Sequence, residues 1–245
     1  MNNVFLIRKI KYYLNPAFIE KQSILKSVKY LINKYKKELS DKSLLDIGCG
    51  SNPYRSFFER LNMDYKGIDF KDYSANFSFG RKEPDFYFDE NYKKDFKLPQ
   101  FGNESYDILA AFQVIEHHKN IDMFFSEVKR ILKKGGYLIL SFPFIWELHE
   151  EPNDFQRLTH YKIRNICGHY NFKIVEQIKR GSSLSTISQL INLSLFNTKI
   201  PEIIKLIIYL IFLLPFQYLT YIYDSISSNP KRKVFLGYTF LLQKL

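Results

Sequence analysis

The sequence predicts an α/β fold built on a mostly parallel sheet. Short buried strands alternate with amphipathic helices from residue 43 onward, an order typical of such sheets. A glycine-rich turn, Gly48-Cys49-Gly50, directly follows the first strand, and Asp69 ends the second. Because ligands bind at the carboxyl ends of parallel strands, near the point where the strand order reverses, these residues predict a nucleotide-type site at that edge.

Each predicted element has its own signal. Residues 18–39 carry an apolar stripe at helical spacing with lysines on the other face, and amphipathic patterns predict further helices at 120–132 and 162–170. The first of these two helices is closed by Lys133-Lys134-Gly135-Gly136, with cations in its last turn and glycine beyond. Apolar runs predict strands at 43–47, 64–70, 86–88, 106–112, 137–142, 172–178 and 234–242.

Composition and charge narrow the class of protein. The chain has 245 residues, 46% of them hydrophobic, which suffices for one sizeable core. The net charge is +11, and residues 1–42 contribute ten basic against three acidic side chains, a net of +7. Such a basic region predicts an anionic membrane surface or nucleic acid as partner, with a solvated helix face as the alternative. Cys49 and Cys167 fit no metal or redox spacing, so we expect reduced thiols in a cytosolic protein without a secretory signal.

An apolar insert precedes the last strand. Ile203–Tyr223 holds a single charge, Lys205, and is long enough to span a bilayer. However, the strands on either side of it are expected in one sheet, and a single span would separate them. The insert is therefore expected to lie on the surface, to re-enter as a hairpin broken at Pro215 with a first helix at 185–196, or to pack on the domain or in a dimer. The expected organisation is basic helices at 1–40, the α/β domain at 41–180 with 231–245, and the insert at 181–230.

The residues around the first turn discriminate between nucleotides. An acid such as Asp69 would suit the ribose of NAD, but a dinucleotide site has a third glycine where this chain has Pro53. In addition, the carboxylate of Asp46 would repel a pyrophosphate. It would attract a cationic ligand such as S-adenosylmethionine, which carries an amino group and a sulfonium.

With these residues in view, the chain resembles the class I S-adenosylmethionine-dependent methyltransferases of the type-11-like group. Residues 45–50 (LDIGCG) resemble their first motif, 104–112 (ESYDILAAF) with 113–117 (QVIEH) their fourth strand, and 132–136 (LKKGG) the turn before their fifth. The resemblance covers roughly residues 40–180. It implies a Rossmann-like, mostly parallel seven-stranded sheet with helices on both faces.

The resemblance also implies cofactor contacts. Those around S-adenosylmethionine would be Asp46, Gly48, Cys49, Gly50, Asp69, Phe70, Asp89 and Gln113. Gln113 would lie beside the methyl group. Asp89 and Asp95 compete for the adenine amine, and Asp89 is preferred because it follows the apolar run 86–88.

The loop after the fifth strand carries the candidate catalytic groups. Residues 149–159 (HEEPNDFQRLT) resemble a segment of methyltransferases found among bacterial surface-polysaccharide and glycan genes. His149 is the first choice for the base that deprotonates an acceptor hydroxyl, and His117 the second, whereas His118 is expected to face solvent. Glu150 and Arg157, with Trp146, would hold the acceptor; the alternative is a structural loop in which Arg157 pairs with Glu150 or Asp154.

The resulting expectation is an O-methyltransferase of a saccharide or lipid-linked glycan precursor, peripheral on the inner face of the cell membrane. The alternatives are a quinone-like or other lipid acceptor, or a non-catalytic scaffold. Nucleic acid is not the expected partner. No metal is expected. In ubiquinone-pathway O-methyltransferases an E-x-x-E-H pattern is associated with a divalent metal ion, and this chain has Gln113 in place of the first glutamate.

Overall fold

A computed structural model describes residues 13–71, 83–89, 96–227 and 232–245. Asp95 and Lys231 therefore lie outside the described residues, as do the basic residues before Tyr13. The helices are α1 Phe18–Lys34, α2 Lys36–Leu39, α3 Arg55–Glu59, α4 Ile121–Ile131, α5 His160–Tyr170, α6 Ser183–Phe196, α7 Glu202–Ile208 and α8 Leu214–Ile226. The strands are β1 Ser43–Ile47, β2 Asp64–Asp69, β3 Phe86–Tyr87, β4 Tyr106–Phe112, β5 Leu132–Pro143, β6 Phe172–Arg180 and β7 Gly237–Lys244.

The strands form one seven-stranded sheet in the order β3-β2-β1-β4-β5-β7-β6, with β7 antiparallel. Strand β1 lies parallel to both β2 and β4, so Asp46 is level with Gly67 on one side and Ala110 on the other. The chain moves outward from β1 to β2 and β3, then crosses back to β4. The order thus reverses between β1 and β4, which puts the turn after Ile47 and the turn after Phe112 at the switch point.

Burial on both faces explains why the central strands read as apolar runs instead of alternating patterns. In β1, β4 and β5 almost every residue beyond the first few is buried. Parallel strands covered by helices on both faces have this composition. The predicted mostly parallel sheet is confirmed, and β7 lies between β5 and β6 as the completing strand.

The turn predicted at 133–136 is instead part of a strand. Strand β5 begins at Leu132, directly after α4, and its register against β4 shifts between Tyr106 and Ile108. Gly135 has φ of +75°, and a Cβ on Gly136 would lie 2.7 Å from the carbonyl oxygen of Asp107. The glycines therefore let an irregular strand start close to β4, a role that their helix-ending pattern did not indicate.

The described residues form two compact units. The larger holds residues 27–143, 149–178 and 238–245, with most of the sheet; among described residues, the smaller holds 13–26, 144–148, 179–227 and 232–237. The three-part division expected from the sequence stays a prediction.

The insert forms a helical pair within the smaller unit. Helix α6 confirms the predicted first helix, but the turn lies at residues 197–201 and not at Pro215. From Glu202 to Ile226 the chain is one continuous helix of 25 residues, with a π-helical turn at Tyr209–Leu213 just before the proline. Because proline lacks an N–H, a local widening of the helix absorbs the missing hydrogen bond without breaking the helix.

Candidate active site

The turn after β1 contains two glycines in left-handed conformations, for different reasons. Gly48 has φ of +70°, and a Cβ there would lie 2.5 Å from Cγ2 of Val114, in the turn after β4. Gly50 has φ of +54°, but no atom of the described residues lies within 4 Å of the position of its Cβ. Gly48 is thus required by packing between the two turns, whereas Gly50 leaves open space beside the backbone.

Asp46 is a buried carboxylate at the end of β1, only 1% exposed. Its Oδ2 accepts a 2.5 Å hydrogen bond from the hydroxyl of Tyr65 on β2, while its Oδ1 has no hydrogen-bond partner among the described residues. Burial raises the pKa of Asp46 to about 7, against the lowering effect of the Tyr65 bond. An acceptor atom without a donor, in a carboxyl group that ionises near neutrality, suits a cationic ligand.

Asp69 joins the end of β2 to the glycine turn. Its Oδ2 accepts a hydrogen bond from the backbone N–H of Gly50 at 2.5 Å, and its Oδ1 accepts one from the N–H of Phe70 at 2.6 Å. Burial raises its pKa, although both backbone bonds act to lower it. Each carboxylate oxygen can accept more than one hydrogen bond, so ribose hydroxyls can still donate to it.

Cys49 faces the sheet. A Cβ on Gly67 of β2 would lie 2.6 Å from its Sγ, and burial raises the pKa of this thiol. Both Cys49 and Cys167 are free and buried, in agreement with the predicted unpaired thiols. The predicted cofactor contact of Cys49 therefore rests on its backbone.

Two aromatic residues, Phe70 and Phe88, directly follow β2 and β3. The rings of Phe70 and Phe88 lie 4.8 Å apart, and the N–H of Phe88 donates to the carbonyl of Asp69. Asp89 follows as an exposed residue. The competition between Asp89 and Asp95 stays open.

Gln113 directly follows β4 and has a left-handed conformation, with φ of +57°. Its N–H donates to the carbonyl of Ser141 on β5 and its Nε2 donates to the Ser141 hydroxyl at 3.0 Å. Because a non-glycine residue with positive φ is uncommon, the turn after β4 is held by specific contacts at the switch point.

Hydrogen bonds join the loop at residues 149–159, which follows β5, to the turn after β4. The N–H of Phe155 donates to the carbonyl of Glu116, and the Gln156 side chain donates to the carbonyls of Ile115 and His118. These bonds join segments 38 to 41 residues apart in sequence, and so bring two groups of candidate residues together.

Within this loop, His149 is oriented by a carboxylate. Its Nδ1 lies 3.1 Å from Oδ2 of Asp154, and its backbone N–H donates to the same oxygen. Arg157 holds Asp154 through two hydrogen bonds, of 2.5 and 2.6 Å. Burial alone would raise the pKa of Asp154, but the Arg157 and His149 bonds outweigh it and lower that pKa to about 2. Asp154 is therefore a permanent anion that keeps the Nδ1–H tautomer and leaves Nε2 to accept a proton.

His117 approaches His149 from the turn after β4. The ring centroids are 4.8 Å apart; Nδ1 of His117 lies 2.8 Å from the carbonyl oxygen of Asn153, and Nε2 lies 3.7 Å from Oε2 of Glu150. Burial lowers the pKa of His117. Burial and the charges of Asp69 and Asp154 raise the pKa of Glu150. The two predicted candidates for the base thus share one site.

His118 was expected to face solvent, and that expectation is wrong. It is 8% exposed, with its ring 4.4 Å from that of Phe96 and 5.6 Å from that of Phe124. Burial lowers its pKa to about 4, so His118 is a neutral core residue. The sequence pattern at His117 and His118 does not indicate which of the two side chains is buried in the core.

Glu116, His117 and His149 form a group that could hold a metal ion, with potential ligand atoms within 4.8 Å of one another. The metal prediction from the sequence rested only on residues 113–117. It therefore missed His149, which adds a possible ligand from another loop. The expectation of no metal stays a prediction, which the experiment below tests.

Tyr65 and Asp154 orient two of the predicted residues, Asp46 and His149 respectively. Tyr65 was assigned no role from the sequence, and Asp154 was considered only as a partner of Arg157. Tyr65 could have been found from its buried position in β2, level with Leu44 of β1. Trp146 belongs to the smaller unit, where it packs against Phe18, Ile19 and Leu236.

Comparisons with known proteins identify the family. A family model described as a methyltransferase domain matches residues 20–180. The chain is 29% identical over 134 residues to a ubiquinone biosynthesis O-methyltransferase of Pelagibacter ubique, covering 52% of each chain. It is 26% identical over 176 residues to a sterol 24-C-methyltransferase of Candida albicans, covering 68% of this chain and 45% of the relative. The chain thus matches about half the length, or less, of these curated relatives.

Solved structures share the fold. A SAM-dependent methyltransferase from Archaeoglobus fulgidus superposes with a TM-score of 0.54 at 13% identity, covering 89% of this chain and 94% of the other. The cyclase SpnF superposes with a TM-score of 0.51 at 15% identity, covering 86% and 80%. Because a protein named as a cyclase shares the fold, these similarities establish architecture, and the family match carries the chemistry.

The residues present fit the cofactor that this family uses. The acceptor atom Oδ1 of Asp46 matches an ammonium group, and the open space at Gly50 admits a ligand close to the backbone. Asp69 retains acceptor capacity for ribose.

Proposed function

The chain belongs to the S-adenosylmethionine-dependent methyltransferase family, and we propose that it transfers the methyl group to a hydroxyl of a saccharide or lipid-linked glycan precursor. His149 is the base and Asp154 its positioning residue. The observation that carries this proposal is the 3.1 Å contact between Nδ1 of His149 and the carboxylate of Asp154.

The reaction is a displacement at the methyl carbon. Bound S-adenosylmethionine supplies the methyl group on a sulfonium, whose sulfur keeps the electron pair of the broken C–S bond. The acceptor oxygen forms the new C–O bond, and Nε2 of His149 takes the hydroxyl proton. Asp154 stabilises the imidazolium that results, since it stays ionised at neutral pH.

Binding and orientation are assigned to the first turn and its neighbours. Asp46, Gly48, Gly50 and Asp69, with the backbone of Cys49, bind the methionine and ribose parts. Phe70 and Asp89 contact the adenine, and Gln113 contacts the region of the methyl group. These assignments rest on the placement of all these residues at or next to the carboxyl ends of β1, β2, β3 and β4.

For the acceptor, Glu150 is the best-supported contact. Its side chain is 42% exposed, and it lies near Nε2 of His117 beside the proposed base. Arg157 acts through Asp154, because two of its hydrogen bonds are directed there. Trp146 is not assigned to the acceptor, since its packing within the smaller unit already explains an apolar ring at that position.

A quinone-like acceptor is the second candidate. It is favoured by the names of two relatives, ubiquinone biosynthesis O-methyltransferases from Pelagibacter ubique and rat. Both candidates present a hydroxyl group, and the same base would serve either.

The test combines binding with turnover. Wild type and His149→Ala are titrated with S-adenosylhomocysteine, with NAD as control, and followed by thermal unfolding. Ligand at 100 times its Kd should add about 2.7 kcal/mol, which raises Tm by roughly 5 to 10 °C at this size. Transfer of tritiated methyl from S-adenosylmethionine to lipid and glycan-precursor fractions of the source cells is then measured in EDTA.

We expect both proteins to bind S-adenosylhomocysteine, and His149→Ala to lose about 10²- to 10⁴-fold in rate. Unchanged turnover would remove His149 from the mechanism. Turnover that requires an added divalent ion would assign Nε2 of His149 to metal binding. Label recovered in an isoprenoid aromatic product, and not in methylated sugar, would select the quinone-like acceptor.

A further inference from the structure

The two helices of the insert bury polar side chains. We call residues 183–226 the hairpin. The buried residues of α6 are all polar: Ser185, Thr186, Ser188, Gln189 and Asn192. In the partner helix, Glu202–Ile226, the buried residues are Lys205, Tyr209, Gln217 and Thr220.

Specific bonds join these polar groups. Nδ2 of Asn192 donates to Oε1 of Gln217 at 2.7 Å, and Nε2 of Gln189 donates to the carbonyl of Pro16 at 2.7 Å. Lys205 is 4% exposed, and its ammonium donates to the carbonyl of Phe196 and to Glu202 at 2.7 Å. Lys205, the single charged residue of the apolar segment 203–223, is therefore buried and paired with Glu202.

The outward surface of the hairpin is apolar. Only 22% of the most apolar stretch of the 25-residue helix is buried. The exposed large apolar side chains are Leu184, Ile187, Ile191, Ile200, Ile203, Ile204, Leu206, Ile207, Leu210, Ile211, Phe212, Leu219, Ile222, Tyr223 and Ile226. Around residues 203–212 they cover most of the helix circumference, leaving only Lys205 and Tyr209 buried.

This distribution is the reverse of what water favours. A soluble helix buries its apolar face and exposes its polar one, and a contiguous apolar surface of this extent marks an interaction site. In hydrocarbon the preference changes, because lipid tails solvate apolar side chains and polar side chains gain by bonding to one another between helices. We propose that the hairpin inserts its apolar outer surface into the acyl-chain region of an anionic lipid bilayer, entering and leaving from one side.

Entry from one side follows from the helix ends. The helices run antiparallel: the N–H of Ser182 lies 3.2 Å from Oδ1 of Asp224, while the rings of Phe196 and Tyr209 meet 5.4 Å apart near the turn. The N–H of Leu236 also donates to the carbonyl of Arg180, so the chain returns to where it left. Helix α6 has 14 residues, or about 21 Å, which is shorter than the roughly 30 Å hydrocarbon core. The 25-residue helix alone is long enough to cross that core, but both ends of the hairpin lie together, so the chain enters and leaves on one side.

Cations near the open end of the hairpin indicate anionic lipid. Lys26 donates to the hydroxyl of Ser225 at 2.7 Å, and its ammonium lies 3.8 Å from the ring centroid of Tyr221. Lys233 is exposed nearby in the chain, two residues before the buried Phe235. An apolar surface combined with cations and tyrosines at one end matches a bilayer interface with negatively charged headgroups.

The test is flotation of the full chain with vesicles of phosphatidylglycerol and phosphatidylethanolamine. Flotation is measured at low salt and at about 0.5 M NaCl, where interactions between exposed charges are largely screened. The variant Ile207→Glu/Ile211→Glu places two charges on one outward face, where the native side chains are 49% and 60% exposed. Tyr161→Glu on α5, at a position 65% exposed, is the matched control. Circular dichroism and the S-adenosylhomocysteine thermal shift check that each variant folds.

We expect wild type and the control to float, also at high salt, and the double variant to lose at least about tenfold in bound fraction. A nitrobenzoxadiazole label at Ile207→Cys should shift to shorter wavelength on vesicles, whereas one at Tyr161→Cys should not; the native thiols are buried.

Two results would overturn the proposal. Binding that high salt abolishes and the two glutamates leave unchanged would be electrostatic attachment alone. Failure to float, together with a dimer that the double variant converts to a monomer, would assign the surface to a second copy of the chain. Neither result bears on methyl transfer, because cofactor binding and turnover are measured separately.

Discussion

At the residue scale, the carboxyl group of Asp46 sits close to its ionisation point. Burial favours the protonated form, and the hydroxyl of Tyr65 favours the charged form by donating a 2.5 Å hydrogen bond. A cationic ligand would favour the charged form of the carboxyl group further, in addition to the hydrogen bond from Tyr65. The affinity for the cofactor should therefore depend on Tyr65, which has no predicted contact with it.

Tyr65→Phe should weaken S-adenosylhomocysteine binding by about tenfold at pH 7, since a hydrogen bond to a charged group is worth about 1.5–3 kcal/mol. Without the hydroxyl the pKa of Asp46 rises further, so the deficit should shrink when binding is measured at pH 8.5. Isothermal calorimetry at both pH values is the measurement. Tyr30→Phe, at an exposed tyrosine of α1, is the control. Equal affinities for Tyr65→Phe and wild type would contradict the assigned role of Asp46.

At the element scale, the turns after β1 and β4 depend on each other. Gly48 approaches Val114 so closely that a methyl group cannot fit, whereas Gly50 faces open space. The same glycine pattern thus combines a packing requirement with a ligand-access requirement. The His149–Asp154 pair has a similar dependence, since the loop after β5 is fastened to the turn after β4 through Phe155 and Gln156.

Gly48→Ala should lower Tm more than Gly50→Ala, because both substitutions strain a positive φ but only the first creates a clash. Val114→Ala in the Gly48→Ala background removes the clashing Cγ2 atom, so it should recover part of the loss. Thermal unfolding of the two single variants and the double variant gives the comparison. Gly50→Ala should fold and lose cofactor affinity instead. A double variant no more stable than Gly48→Ala would show that φ strain alone accounts for the loss.

At the scale of the whole molecule, burial of charge near the switch point sets a pH dependence of folding. The folded pKa of Asp46, about 7, lies above its ordinary value of 3.8, so the native state holds a proton that the unfolded chain releases. The contribution of this residue to stability is thus greatest below about pH 4 and falls as the pH rises toward 7. If Asp46 binds the cofactor as proposed, the chain keeps for binding a group that costs it stability.

Asp46→Asn should therefore raise Tm of the ligand-free protein at pH 8 and change it much less at pH 4.5, while abolishing the shift with S-adenosylhomocysteine. Calorimetric unfolding across pH 4–8 measures both effects. Asp122→Asn, at the exposed start of α4, provides the comparison for a charge change without burial. A Tm difference that does not change with pH would contradict the raised pKa.

Periodicity, turn chemistry and the order of motifs determined from the sequence alone the parallel α/β sheet, the cofactor class and most strand positions. These features are local: two glycines after an apolar run, or an acid at a strand end, carry their meaning within a few residues. Local patterns could not determine which of His117 and His118 points inward, nor that residues 133–136 belong to a strand. Packing against Phe96, Phe124 and Asp107 decides both.

Only the tertiary structure brought together groups that are distant in sequence. It paired Tyr65 with Asp46 across neighbouring strands and placed His149 beside Glu116 and His117, which no spacing rule links. It also decided which face of the insert is buried, since a run such as 203–214 is apolar on nearly every side. Asn192 of α6 bonds to Gln217 of the partner helix, and Lys205 and Tyr209 of that helix are buried, whereas most of its apolar side chains are exposed. That orientation depends on the partner helix, and therefore no one-dimensional pattern contains it.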